Sequence, residues 1–290
     1  MLPSVVRGLW RRVLAQFDIT APRNQLVHQA GLMRLPRQPG RGWLVGGITI
    51  GAALLLWYVL TSLTGIVSSY RFPSPPEFLA ALRHIAFDGY AGGTLLQQTL
   101  QSLKIVIEGF LIACLVGVPL GFLMGWSPRA EALVNPVFLL IRPIPPLAWI
   151  PLAIVWLGLG DGAKIMVIWF AAFVPSVINT FTGVRQVNPI LIEAARVHGA
   201  TDWRVAKEIV APGALPMIFT GLRLSLQASW TTLVAAELVG AFLGLGRVLS
   251  IAYRDIYPAM IAVSMVTIAI AGALMTQLLA RVEQMVIRWR

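Results

Sequence analysis

The stretch NPILIEAARVHGATDWRVAKEIVAPGALP, Asn188–Pro216, is charged and rich in helix formers. It sits in a chain of 290 residues that is 57% hydrophobic and 12% charged, with a mean hydropathy of +0.77. Soluble domains run at about 45–50% apolar and about 25% charged. The flanking sequence therefore reads as membrane, and the stretch reads as an insert outside it. Asn188 is a strong helix N-cap, and Pro189 suits the first helical position, where no N–H is required. Gly199 supplies a left-handed residue that ends the helix. Thr201 caps a second helix, with Asp202 in its first turn. Ala211 precedes Pro212, which predicts that this second helix stops there.

Isolated helices shorter than about 12–15 residues are marginal in water, so this pair must pack on something. Ala194, Ala195, Gly199 and Ala200 leave a surface that another element can approach closely. Ile190, Leu191, Val197, Trp203, Val205, Ile209 and Val210 supply more apolar area than a connector needs. Either they pack on the inner ends of the spans or they fill a groove on a partner.

Outward from the insert, the chain divides into six apolar segments at residues 42–63, 105–124, 133–157, 165–184, 217–239 and 259–279. Each is about the 20 residues that a spanning helix needs. The third is interrupted by RPIPP, Arg142–Pro146. Between the first two lies a polar break with FPSPPEFLAAL, Phe72–Leu82, which predicts an extended proline stretch and then a short helix. Arg247, Arg254 and Asp255 fall in a predicted loop between the last two spans. Residues 1–41 carry seven arginines against Asp18 alone. Apolar residues from Val6 to Phe17 recur there at helical spacing. That segment is a helix on an anionic membrane surface or a tail whose arginines set topology, and both readings stay open.

Six spans place both termini on one side. With the N-terminus inside, fifteen Lys and Arg residues fall inside and five (Arg71, Arg83, Lys164, Arg247, Arg254) outside. The positive-inside rule then predicts an inner-membrane protein with cytoplasmic termini and the 185–216 loop in the cytoplasm. The net charge of +11 is spread between apolar segments rather than gathered in an aromatic-interleaved patch, which excludes a nucleic-acid binder. Cys114 is the single cysteine, and His28, His84 and His198 lack ligand spacing, so no metal site is expected. No GxxxxGK[ST] phosphate loop occurs; GLGDGAK, Gly158–Lys164, lacks that spacing. No nucleophile–base–acid set stands out, so no catalytic residue is expected.

Glu193-Ala194-Ala195, Gly199, Ile209 and Pro212 stand in register with the EAA loop of ABC importer permeases, which the stretch resembles. Ala211 departs from the usual Leu. FPSP (Phe72–Pro75), RPIPPLAWIPLAIVWLGLGDGAKI (Arg142–Ile165) and GLRLSLQASWTTLVAAELVGAFLGLG (Gly221–Gly246) are similar to the taurine, aliphatic sulfonate, nitrate and bicarbonate branch. The first 41 residues carry no matching feature. The resemblance implies an all-α permease with six transmembrane helices and two short cytoplasmic coupling helices, within a membrane domain over 42–290. It implies that Glu193, Ala194, Ala195, Gly199 and Ala200 dock on a cytoplasmic ATPase that binds ATP and Mg²⁺, none of which this chain holds. It also implies a periplasmic or lipid-anchored solute-binding protein as partner, and a homodimer.

Four residues are candidates for the cargo path. Arg142 in mid-span costs about 2.5–3.5 kcal/mol on the insertion scale, so it either faces a cavity or snorkels or pairs with Glu237. Glu237 is that partner, a gate residue, or an interface residue. Trp230 and Thr231, beside Ser229 and Thr232, either line the path or serve helix packing. A secondary transporter driven by an ion gradient would show paired broken helices, and only Arg142–Pro146 reads as one. A membrane scaffold recruiting a cytoplasmic partner is the other reading, against which the cost of Arg142 weighs.

Overall fold

The computed structural model describes residues 41–64, 68 and 71–287. The expectations for residues 1–40, Arg288 and Arg290 lie outside the described residues. The described residues form two compact units, 41–57 and 58–287. The first is helix α1, Arg41–Tyr58; helical backbone continues as a π turn, Val59–Leu63.

The second unit is all helix in its regular structure among the described residues. It holds α2 (Pro75–Phe87), α3 (Leu95–Trp126), α4 (Pro128–Ile141), α5 (Ile150–Leu157), α6 (Asp161–Arg185), α7 (Pro189–Val197), α8 (Asp202–Val205), α9 (Ala211–Gly240), α10 (Leu245–Arg254) and α11 (Pro258–Val286). Five helical segments are long and apolar enough to cross a membrane, and the pair α4 and α5, bent by 80°, brings the number to six where it is counted as one broken span. Five of the six predicted spans lie within these helical segments, and the third is divided between α4 and α5 by its break.

Local chemistry sets the ends. Ser74 and Glu77 form a capping box at α2, with Ser74 N–H donating to Glu77 Oε2 at 2.8 Å. Thr94 and Gln97 repeat the device at α3. At 32 residues α3 is about 48 Å long, which exceeds the roughly 30 Å hydrocarbon core. It therefore emerges from the bilayer. Gly109, Ala113, Gly117, Gly121 and Gly125 make a stripe of small residues at every fourth position of α3. A Cβ at Gly117 would lie 2.9 Å from Ser176 Cβ, and one at Gly121 would lie 2.9 Å from Thr180 Cβ. Backbones of α3 and α6 thus touch, the packing that membrane helices use in place of a hydrophobic driving force. On its other side α6 packs against α9, where Gly183 and Gly221 admit Met217 and Asn179. Ile105, Val106, Ile168, Leu226, Trp230, Leu233 and Leu245 fill the core between these helices.

Two expectations are corrected. The segment holding Arg247 and Arg254 is the helix α10, not a loop; it buries Val248 and Ala252 against Ala81, Ile85, Met260 and Val263. The second short helix does not stop at Pro212. It runs from Asp202 through a π turn, Ala206–Val210, into α9 as one helical stretch ending at Gly240. The π turn shifts the hydrogen-bond ladder just before Pro212, with Ala211 N–H donating to Ala206 O. The residue without an N–H then falls in the first turn of α9, where none is needed.

Candidate functional site: a helical hairpin and a broken span

The α7–α8 hairpin is built by its caps. Asn188 Oδ1 accepts from Ile190 N–H at 3.0 Å, and Thr201 Oγ1 accepts from Arg204 N–H at 3.4 Å. Gly199 has φ +82°, which few residues other than glycine tolerate. Its N–H donates to Arg196 O at 2.9 Å and Ala200 N–H donates to Ala195 O at 3.0 Å, a Schellman turn. Arg196 closes the bend with an ion pair to Asp202 at 3.0 Å.

This geometry sorts the apolar residues into two sets. Ile192, Ala195, Ala200, Val205, Ile209 and Val210 pack on Val184, Ala214, Ile218 and Trp126 at the ends of the spans. Ile190, Leu191, Val197 and Trp203 point away, and Val197 and Trp203 remain 85% and 75% exposed. The first alternative, packing on the ends of the spans, therefore holds for the first set, and the second set is left exposed among the described residues. Glu193 and Ala194 are on the exposed side, Gly199 is exposed, and Ala195 and Ala200 are half-buried. Glu193 belongs to none of the ion pairs among the described residues. Nearby, Glu131 pairs with Arg185, whose guanidinium lies 5.2 Å from the Phe181 ring centroid, tying α4 to the end of α6.

The broken span places Arg142 at the end of α4, exposed, beside a cleft of about 210 Å³. Ile141, Ile144, Pro146, Trp149, Phe170, Val174 and Pro175 also line it. Trp149 and Phe170 stack with centroids 4.2 Å apart and planes 8° from parallel. Residues 170–175 straddle the middle of the 25-residue α6, so the cleft lies at mid-span. Of the alternatives for Arg142, the pairing with Glu237 is not formed. Arg142 is exposed and in no ion pair among the described residues, whereas Glu237 is 1% exposed and bonded elsewhere.

Glu237 ends α9 in a buried polar knot. Its Oε1 accepts from Ser102 Oγ at 2.8 Å and its Oε2 from Gly246 N–H at 2.7 Å. Ser102 Oγ accepts in turn from Leu245 N–H at 2.9 Å, and Gln98 Oε1 from Gly244 N–H at 2.6 Å. Side chains of α3 and α9 thus take up the orphan donors at the start of α10. Trp230, at 6% exposure, belongs to the core; Ser229 and Thr232 are buried with it, and Thr231 is exposed with its hydroxyl turned to Gln227 O. Glu237 and Trp230 are both buried against neighbouring helices.

Sequence reading passed over three polar contacts. Arg223 of α9 pairs with Glu283 of α11. Lys164, 5% exposed, pairs with Asp161 at 3.1 Å, and Gln101 donates to the same carboxylate at 2.8 Å. Ser176 and Ser225 lie 2.8 Å apart across the α6–α9 contact. Arg223 inside an apolar run was the one available signal; the others acquire meaning only from their partners.

Five apolar helical segments, a sixth in the bent pair α4 and α5, and a capped hairpin with an exposed apolar face define a polytopic helical membrane protein. Residues 117–289 match the family of the binding-protein-dependent transport system inner membrane component. The chain belongs to that family, and so is a multi-pass inner-membrane permease component. It is 35% identical over 242 residues to the taurine transport system permease protein of Escherichia coli (strain K12), covering 83% of this chain and 88% of that one. It is 36% identical over 243 residues to the bicarbonate transport system permease protein of Synechococcus elongatus, covering 81% and 86%. Its fold matches a chain of the inward-facing MetNI methionine ABC transporter with a TM-score of 0.59 at 22% identity, over 66% of this chain and 95% of that one.

Proposed function

We propose that the chain is the permease of an ATP-driven importer supplied by a solute-binding protein, and that its cargo is a small oxyanion. The taurine and bicarbonate systems of its relatives support the cargo class. Charge supports the orientation: the hairpin end carries Arg129, Arg185, Arg196, Arg204 and Lys207, as a cytoplasmic end should. Both termini are then cytoplasmic. The observation that carries the reading is the hairpin's divided surface. Ile192, Ala195 and Val205 fix it to the spans, while Leu191, Val197 and Trp203 leave an apolar face outside. Such a face is a docking surface for a groove, and the groove belongs to the separate ATPase that binds ATP and Mg²⁺. Of the five residues expected to dock, the exposed Glu193, Ala194 and Gly199 form the docking edge, and Ala195 and Ala200 back it from the side of the spans. Two copies of the chain, related by a two-fold axis, present two hairpins to two ATPase subunits, so that ATP-driven closure moves the spans.

The test is gentle extraction of the tagged full chain from its membrane, with Glu193→Arg as control. A stoichiometric ATPase that co-purifies with the parent chain and is lost from the inserted variant is expected. A chain that purifies alone and transports in an ion gradient overturns the reading.

A further inference from the structure

We propose that the mid-span cleft at Arg142 is a binding station for a small oxyanion, reached from water rather than from lipid. This rests on the permease reading for its place on a transport path, but its chemistry is argued from the cleft itself. An exposed guanidinium at mid-span is tolerated only beside water or a partner. At about 30 Å³ per water molecule, the cleft of about 210 Å³ holds several waters or one small hydrated anion. Among the described residues no carboxylate pairs with Arg142, so its positive charge is unbalanced. Guanidinium presents a planar fork of N–H donors that matches two oxygens of a sulfonate or carbonate group. On the same cleft, the parallel Trp149–Phe170 pair offers an apolar wall, against which the alkyl part of an organic anion can lie.

The break that makes the cleft is itself costly. Pro143, Pro145 and Pro146 carry no N–H, and the chain turns by 80° between α4 and α5. Irregular backbone at membrane depth persists where it is buried in protein or lines a watery cavity. Phe170 and Pro175 are about 14 and 15 Å along α6 from its nearer ends, at 1.5 Å per residue. That depth places the cleft away from lipid headgroups, so the anion it suits is one passing through.

The test needs no knowledge of the cargo. In the full-length chain in its membrane, Cys114→Ser removes the native thiol and Ile144→Cys places a reporter on the cleft wall. Its reaction rate is measured with anionic sulfonatoethyl, cationic trimethylammonioethyl and neutral hydroxyethyl methanethiosulfonates. The thiol is expected to react with all three, and adding Arg142→Gln is expected to lower the anionic-to-cationic rate ratio about tenfold, as one nearby charge in a partly aqueous site would. The neutral rate should stay unchanged, which reports an intact cleft. Val174→Cys, on the α6 wall, gives the same reading where the first reporter does not accumulate. A thiol that no reagent reaches means a lipid-facing, snorkelling Arg142 and overturns the proposal. A ratio indifferent to Arg142→Gln overturns it equally. Neither outcome touches ATPase co-purification, so the permease reading and the anion station fail separately.

Discussion

The two ends of the helical bundle solve opposite problems. At the hairpin end, the short helices α7 and α8 hold apolar side chains out in solvent: Val197 is 85% exposed and Trp203 75%. At the other end, the start of α10 holds polar groups in the dry interior: Gln98 and Ser102 are fully buried and Glu237 is 1% exposed. Leaving apolar surface in water forgoes about 25 cal/mol per Å², and burying polar groups is tolerated only when each finds a partner. The knot satisfies that condition, with Gly244, Leu245 and Gly246 N–H all accepted by side chains. Among the described residues, nothing covers the hairpin's exposed face. One end is complete in itself, and the other leaves apolar surface uncovered. Substitutions at the knot should therefore read out as stability, and those on the outer face of the hairpin as association.

The comparison breaks most visibly at Gly244. Its φ of +135° is a conformation that side chains rarely adopt, and an added Cβ would collide with the Glu237 carboxyl. Gly244→Val should combine backbone strain of about 1–3 kcal/mol with about 1–3 kcal/mol for each donor that the displaced carboxyl leaves unpaired. That is a large part of a total stability of about 5–15 kcal/mol. Membrane accumulation and thermal aggregation in detergent should both show it, with little folded protein recovered. A variant as stable as the parent would mean that the α9–α10 junction is loosely held.

The hairpin was legible because its signals are local. Asn188, Gly199 and Thr201 act on the backbone within a few residues, so each cap and the left-handed turn follow from the string of letters. Family resemblance was legible through the same stretch. The six spans were legible because hydropathy needs no partner. The knot was not: Glu237 and Ser102 are 135 residues apart in sequence, and nothing near either names the other. Arg142 was one of several readings open for Glu237, and the fold supplied Ser102 and Gly246 instead. The passage through Pro212 was missed for a different reason. A proline rule describes an α-helical ladder, and one π turn changes which residue lacks a partner. The stripe from Gly109 to Gly125 was readable at a spacing of four, and it marks the α3–α6 contact.

A smaller effect sharpens the contrast from the hairpin end. Gly199 has the same kind of conformation as Gly244, with φ +82°, but open space where a Cβ would go. Gly199→Ala should therefore meet the backbone cost alone, about 1 kcal/mol. For a chain of this size that is a fall of roughly 2–4 °C in thermal midpoint, against the failure expected at Gly244. Equal losses at the two glycines would show that backbone conformation, and not the buried carboxyl, dominates both.

The smallest stability effect carries the sharpest distinction. Trp203 is 75% exposed, beside α8 residues that already anchor the hairpin through Val205. Trp203→Ser removes almost nothing from the interior, so thermal stability should stay within about 0.5 kcal/mol of the parent. If its ring is an anchor in a partner's groove, the same change should cost about 2 kcal/mol of association, close to thirtyfold in dissociation constant. The measurement is retention of the ATPase on immobilised permease in matched detergent, beside a melting curve on the same preparation. Stability lost together with retention would put Trp203 in the fold's own packing. Stability kept and retention kept would leave the exposed apolar face without the partner that its cost in water demands. Stability kept and retention lost is the result that the divided hairpin predicts, because only the residues facing the spans belong to the fold.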